Sequence, residues 1–381
     1  MIKLFVALFA FISLVAAGLL VYRRIEQRTI QSIAQEMIVA GGISEVREVT
    51  IGGISQYIAL EGRNVDNPIC LFLHGGPGLS TPFGITARTQ YPDLTSHCTV
   101  VYWDQRGAGK TYNENMGTGL LTLNQLQNDA VELVTYLLSE FDQQKLYLFG
   151  YSWGSVLGIQ LTQIIPNQIE AYFGIGQVVH PADSDVKLYK WLLDEYQSIG
   201  AKDVVATLKQ IGIPPYYKEV NQKIFSQAIS QSEAYIKRID GSPGLNILKW
   251  IYQVIISPDL TLGEVYDTLF KASYTTLQKS VLWKEVSSVN FVKDIESIKI
   301  PVYFISGIDD YICSKDLLLE WSSNLKAPKK EVFILESSAH YPSASDERTM
   351  FEYIKEIINR RYPQEENEEV PIEESILQLF N

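Results

Sequence analysis

The chain has 381 residues, 46% of them hydrophobic and 20% charged, so apolar material is ample for a large core and a disordered or fibrous class is excluded. Net charge is −12, half of it from Glu365, Glu366, Glu368, Glu369, Glu373 and Glu374 near the C-terminus; such a balance excludes nucleic acid as a partner, which needs a basic face. Cys70, Cys98 and Cys313 lie too far apart for metal-ligand spacing and cannot all pair, which excludes a zinc site and a disulfide framework.

Residues 4–22, "LFVALFAFISLVAAGLLVY", carry no charge over about 19 positions, enough to cross a hydrocarbon core. A cleaved signal peptide has a shorter apolar region, and "VAA" at 15–17 falls inside this one; a retained anchor over residues 1–22 is expected. Arg23, Arg24 and Arg28 against Lys3 favour a cytoplasmic body by the positive-inside count. An N-terminal lysine is also how export signals begin, so the side of the membrane stays open. Residues 23–45 read as a short polar helix, a stem ending at Gly41-Gly42.

Strand patterns follow. "VREVTIGGISQYIALEG" (46–62) reads as a hairpin, and "ICLFLHGGPG" (69–78) as an apolar run stopped by glycines. "CTVVYWDQRGAG" (98–109) repeats that arrangement. Residues 123–141 have apolar positions at helical spacing. "KLYLFG" (145–150) is strand, with a helix from Trp153, and "AYFGIGQVV" (171–179) is another buried strand. Residues 181–295 are largely helical and rich in Tyr and Trp. "IPVYFISG" (300–307) and "KEVFILES" (330–337) return as strands around a helix at 315–325, and a helix at about 345–361 closes the body.

Strands alternating with helices predict an α/β fold with a mainly parallel sheet flanked by helices. Length allows one large domain with an insertion, or two domains. The expected organisation is a core of residues 46–180 and 296–362, a helical cap at 181–295 and an acidic tail at 363–381 that reads as disordered.

Ser152 lies in "GYSWGS", where strand gives way to helix. In a parallel sheet this end of a strand faces the ligand crevice. Gly150 and Gly154 permit the tight turn, so the G-x-S-x-G pattern reads as a nucleophile elbow, with the N–H of Trp153 opening the helix. A serine hydroxyl needs a base. His340 follows "KEVFILES" and Asp310 follows "VYFISG", in the chain order Ser, Asp, His that belongs to this elbow. Asp310 is preferred over Asp309, which remains the alternative. His97 precedes a strand, His180 opens the helical segment and His74 reads as structural. "HGGPG" (74–78) supplies a second oxyanion donor, assigned to Gly76 with Gly75 as its neighbour. Arg106 and Asp104 in "DQRGAGKT" read as ion-pairing groups that lock neighbouring loops. An aspartate at position 152 would suggest haloalkane or epoxide chemistry, but the residue is serine. "GAGKT" fails the spacing of a phosphate loop, and "GIGQVV" that of a dinucleotide fingerprint.

With "LFLHGGPG", "DQRGAGKT", "GYSWGS" and "GIDDYIC" in place, residues 46–362 resemble the α/β-hydrolase fold, and within it proline iminopeptidase-like serine peptidases. The resemblance implies a catalytic triad of Ser152, Asp310 and His340. It also implies an oxyanion hole from the N–H groups of Trp153 and Gly76, no cofactor and no metal. The implied activity is release of N-terminal residues, often proline, from short peptides, with carboxylates of the cap holding the substrate amine. Asp183, Asp185 and Glu285 are the candidate carboxylates, and Cys313 matches a cysteine near the pocket in that family. Two departures stand out: Tyr151 replaces the second glycine of G-G-S-W-G, and "VLWKEV" is the nearest text to the cap's W-x-x-W-E. The alternatives are a carboxylesterase acting on small esters and a non-catalytic membrane-tethered binding protein. The expected partners are a small peptide or small-molecule substrate and the membrane, with no obligate protein partner.

Overall fold

In the computed structural model, residues 2–80, 83–216, 218–236 and 247–361 are described. The acidic tail and the last position of the expected core, 362, lie outside them.

Eight strands form one sheet: β1 (Ile43–Ile51), β2 (Ile54–Gly62), β3 (Ile69–Leu73), β4 (Thr99–Asp104), β5 (Leu146–Tyr151), β6 (Ile169–Ile175), β7 (Val302–Gly307) and β8 (Lys330–Leu335). Their order is β1-β2-β4-β3-β5-β6-β7-β8. β2 pairs antiparallel with both neighbours, and every pairing from β4 to β8 is parallel. The central strands are buried along their whole length, which is why they read as unbroken apolar runs rather than alternating ones.

Each face of the sheet has its own core. On one, Val101, Trp103, Leu148 and Phe304 pack with Leu133 and Leu137 of the helix Leu123–Glu140 and Val156 and Leu157 of the helix Trp153–Ile164. On the other, Phe72, Phe149, Phe173 and Tyr303 occupy neighbouring register positions and stack with ring centroids 4.4, 4.5 and 5.0 Å apart. This aromatic ladder, covered by Ile354 and Ile358 of the helix Ala344–Arg361, ties four strands through cross-strand pairs.

Between β6 and β7 the described chain is helical, from the helix Pro181–Ser198 to the short helix Phe291–Asp294, with its own cluster of Leu188, Tyr189, Leu192, Leu208 and Phe225. At the other end, the residues expected to form an anchor and a stem lie on one helix, α1 (Ile2–Val39). No glycine or proline separates Gly18 from Gly41, and Arg23-Arg24 are good helix formers, so charge alone does not end it. Its second half packs on the body, burying Gln27, Ala34 and Met37, while Phe5 and the residues from Leu8 to Val21 are exposed.

Arg106 and Asp104 do lock loops, but not to each other. Arg106 makes a bidentate pair with Asp129 of the helix Leu123–Glu140 at 2.7 and 2.9 Å, with both side chains buried. Gln56 and Gln125 also donate to the Asp129 carboxylate. Asp104 instead accepts from Ser80 Oγ, Ile85 N and Lys110 N. Arg106→Met is therefore expected to cost about 3–5 kcal/mol by stranding a buried carboxylate. A lower urea midpoint at unchanged slope is the check.

Candidate active site

β5 ends at Tyr151, and Ser152 then adopts φ 49°, ψ −117° before the helix Trp153–Ile164 begins. A residue with a side chain rarely holds positive φ, and the surroundings enforce it here. Ser152 N donates to Ile175 O on β6 (2.8 Å), and Ser155 N donates back to Ser152 O (2.9 Å). Glycines flank the turn for lack of space: a Cβ on Gly150 would meet Ser155 Cα at 2.7 Å, and one on Gly154 would meet Leu73 O at 2.0 Å.

The loops after β7 and β8 bring the other two groups to this serine. His340 Nε2 lies 3.0 Å from Ser152 Oγ, and His340 Nδ1 lies 3.0 Å from Asp310 Oδ2. Asp310 Oδ1 accepts from Cys313 N at 2.8 Å, which fixes the carboxylate. Asp309 donates its N–H to Ser338 O and lines a cavity of about 340 Å³ with Lys187, Lys190 and Lys315, so Asp310 is the aspartate at the imidazole. His97 bonds Asn359 and His180 pairs with Asp183, both outside this arrangement.

Ser152 Oγ, the imidazole and the carboxylate thus form a continuous hydrogen-bonded line, with the last two buried. Burial opposes a charge on the imidazole, the Asp310 carboxylate favours it, and the carboxylate prevails: the His340 pKa lies above the ordinary histidine value. The Cys313 thiol sits beside His340 and Ser152, and burial pushes its pKa up, so at neutral pH it adds no negative charge. Asp310, Cys313 and His340 present ligand atoms within 4.8 Å of one another.

The second wall of the site is the loop after β3. His74 Nδ1 lies 2.8 Å from Gly75 O, which can only accept, so Nδ1 carries the proton and Nε2 accepts from Gln105 N at 3.2 Å. Burial drops the His74 pKa to about 4, and the ring stays neutral. Gln105 also donates to His74 O and accepts from Trp153 Nε1 (2.9 Å). One glutamine thus joins the HGGPG loop, the DQRGAG loop and the first residue of the elbow helix. Gly76, at φ 48°, lies in the first of these loops, and the Trp153 N–H, first in its helix, has no intrahelical partner. Gln105 is the residue that motif reading passes over. Tyr151, where the resembling family has glycine, donates its hydroxyl to His340 O at 2.9 Å and steadies the histidine loop. The one signal for Gln105 was its place just past a strand end.

The three candidate carboxylates lie in different settings. Glu285 accepts from Leu123 N at 2.6 Å, at the start of the helix Leu123–Glu140. Asp183 pairs with His180 at 2.7 Å, with its side chain 60% exposed. Asp185 is open to solvent, yet enough protein surrounds its carboxyl to push its pKa up to about 6. It lies in the electrostatic field of Tyr235, whose ring centroid is 6.0 Å from that of His340.

A family model described as alpha/beta hydrolase fold matches residues 68–210. A probable aminopeptidase of Bacillus subtilis, YbaC, is 31% identical over 301 residues, spanning 79% of this chain and 92% of the relative. This chain belongs to the α/β-hydrolase family. The hydrolase also shares its fold with a proline iminopeptidase of Mycobacterium smegmatis (14% identity, TM-score 0.57, 83% of this chain and 98% of that one). A proline iminopeptidase-related protein of Thermus thermophilus is likewise similar in fold (17% identity, TM-score 0.56, 82% and 96%). As an α/β-hydrolase it is an enzyme whose relatives are aminopeptidase-like, and its hydrogen-bonded line stands above the carboxyl ends of β5, β7 and β8.

Proposed function

We propose that this hydrolase is a serine aminopeptidase that releases N-terminal residues from short peptides through an acyl-enzyme. The observation that carries the reading is the line Ser152 Oγ to His340 to Asp310, at 3.0 Å for each step, with the serine on a strained elbow. Ser152 attacks the carbonyl carbon while His340 Nε2 takes the hydroxyl proton. Asp310 holds the imidazole as its Nδ1–H tautomer and stabilises the imidazolium. The N–H groups of Trp153 and Gly76 receive the oxyanion. His340 then returns the proton to the leaving amine, and water clears the acyl-enzyme by the same route. The helical segment 181–295 acts as a cap that shapes the substrate space. α1 is a retained membrane anchor: its first half is charge-free after Lys3 and, among the described residues, no part of the body covers it.

An exopeptidase needs a negative group for the substrate ammonium, and Asp185 fits best, being accessible and within electrostatic range of Tyr235, whose ring stands beside that of His340. Proline β-naphthylamide is expected to be cleaved and its N-blocked form left intact. Cleavage of p-nitrophenyl esters with the amide untouched would replace this reading by an esterase. Asp185→Asn is expected to raise KM for the free-amine substrate by about tenfold to a hundredfold, the range of a lost charged hydrogen bond, with ester hydrolysis unchanged. Because the Asp185 pKa is raised to about 6, its grip on an ammonium strengthens as pH climbs through that value, so KM in the unsubstituted enzyme falls over the same interval.

A further inference from the structure

The chain from 262 to 279 is a run of α and π turns whose two faces differ sharply. Val265, Thr268, Ala272 and Thr276 are buried, and this side rests on the loops of the candidate active site. A Cβ on Gly78 of the HGGPG loop would come within 2.8 Å of Ala272 O and Thr276 Oγ1, and Thr276 Oγ1 donates to Gly107 O. The opposite side carries Leu262, Tyr266, Phe270 and Tyr274, 53%, 54%, 66% and 57% exposed. In a pure α-helix a repeat of four drifts round the axis; the wider π turns take up the drift and keep the stripe in line. Lys271 lies over the Tyr266 ring at 5.6 Å and Lys279 over the Tyr274 ring at 5.2 Å. Aromatic rings with an aliphatic anchor and flanking lysines are the composition of a helix lying in a membrane interface.

The position of this stripe points to its occupant. The charge-free half of α1 ends at Tyr22, whose hydroxyl is 3.0 Å from that of Tyr252. Arg23 donates to Ile255 O at 2.7 Å and to Leu260 O at 2.6 Å, and Gln27 donates to Ser257 O at 2.9 Å. The foot of the apolar segment is thus pinned to residues 252–260, and the stripe starts at Leu262. The acidic groups beside it are paired, Glu264 with Lys110 and both Glu114 and Asp267 with Lys271.

We propose that Leu262, Tyr266, Phe270 and Tyr274 lie in the headgroup layer of the bilayer that receives α1, so that the protein has a second, interfacial contact with the membrane. This rests on the reading of α1 as an anchor. The roof over the HGGPG loop is then in contact with lipid, and the enzyme works at the membrane surface rather than at the end of a tether.

The test uses the full chain in phosphatidylcholine vesicles, with an environment-sensitive fluorophore on single introduced cysteines. Cys70, Cys98 and Cys313 are buried, and the unsubstituted chain carried through the same labelling is the blank. Phe270→Cys, at an exposed position, is expected to lose most of its emission to lipid spin-labelled near the ester carbonyls and little to aqueous iodide. Leu319→Cys, on the helix Lys315–Asn324 at the opposite sheet edge, is expected to show the reverse. Leu14→Cys reports α1 itself through lipid spin-labelled deep in the chains. Quenching at 14 with iodide quenching at 270 would overturn the proposal and leave the anchor standing. A shielded label at 270 that neither lipid nor iodide quenches would assign the stripe to a second protein copy and overturn it too. No lipid quenching at 14 would remove the anchor reading, and the proposal with it.

Discussion

Ser152→Ala is expected to lower kcat by about 10⁶-fold, the loss seen when the nucleophile of such a relay is removed, and to abolish labelling by a fluorophosphonate. The chain should stay folded, because among the described residues the Oγ approaches only His340 and Cys313. If labelling persisted in the variant, another group would be the nucleophile and the proposed mechanism would fall. Ser152→Gly separates chemistry from strain at the same position. Positive φ at a residue with a side chain costs about 1–3 kcal/mol, and glycine gives back roughly 0.5–1 kcal/mol of that in chain entropy. The glycine variant is therefore expected to be about 1 kcal/mol more stable than the parent and equally inactive, read as a higher denaturation midpoint.

Asp310→Asn is expected to lower kcat by about 10⁴-fold, since an amide nitrogen facing Nδ1 favours the wrong imidazole tautomer. The pH profile supplies a second, independent readout. His340 must be neutral to accept a proton, and its pKa is raised, so kcat/KM in the unsubstituted enzyme is low in acid and rises with pH through a limb displaced above the ordinary value of about 6.5. Without the carboxylate, burial has only Cys313 against it and the limb of the residual activity moves toward lower pH. Identical limbs in parent and variant would mean that Asp310 does not set the charge on His340.

Much of this site was legible because its parts sit where periodicity breaks. Strand runs ending at Tyr151, Gly307 and Leu335 each deliver one member of the hydrogen-bonded line, and the spacing of glycines about Ser152 is a steric requirement that leaves a trace in one dimension. What escaped is held by side-chain hydrogen bonds between distant loops, which have no period. Gln105 joins three segments, yet apart from its place just past a strand end nothing in "DQRGAG" distinguishes it from a solvated residue. The partner of Arg106 was missed for the same reason: Asp129 looks like one more polar position on an amphipathic helix until the strand end is packed against it. The choice among Asp183, Asp185 and Glu285 depended on which helix faces turn toward β7 and β8, and composition does not carry that. The change of polarity after Tyr22 leaves no mark on the backbone, where the helix runs on through Arg23 and Arg24 to Val39.

That continuity has a mechanical consequence. A helix of 38 residues is about 57 Å of stiff rod without a joint before Gly41. An enzyme on a slack leader samples many altitudes and tilts above its support; one on a rod clamped along its side holds a single altitude. With α1 as the anchor, the catalytic line keeps a constant standoff from the lipid, and its encounter with substrate becomes a lateral search across a plane.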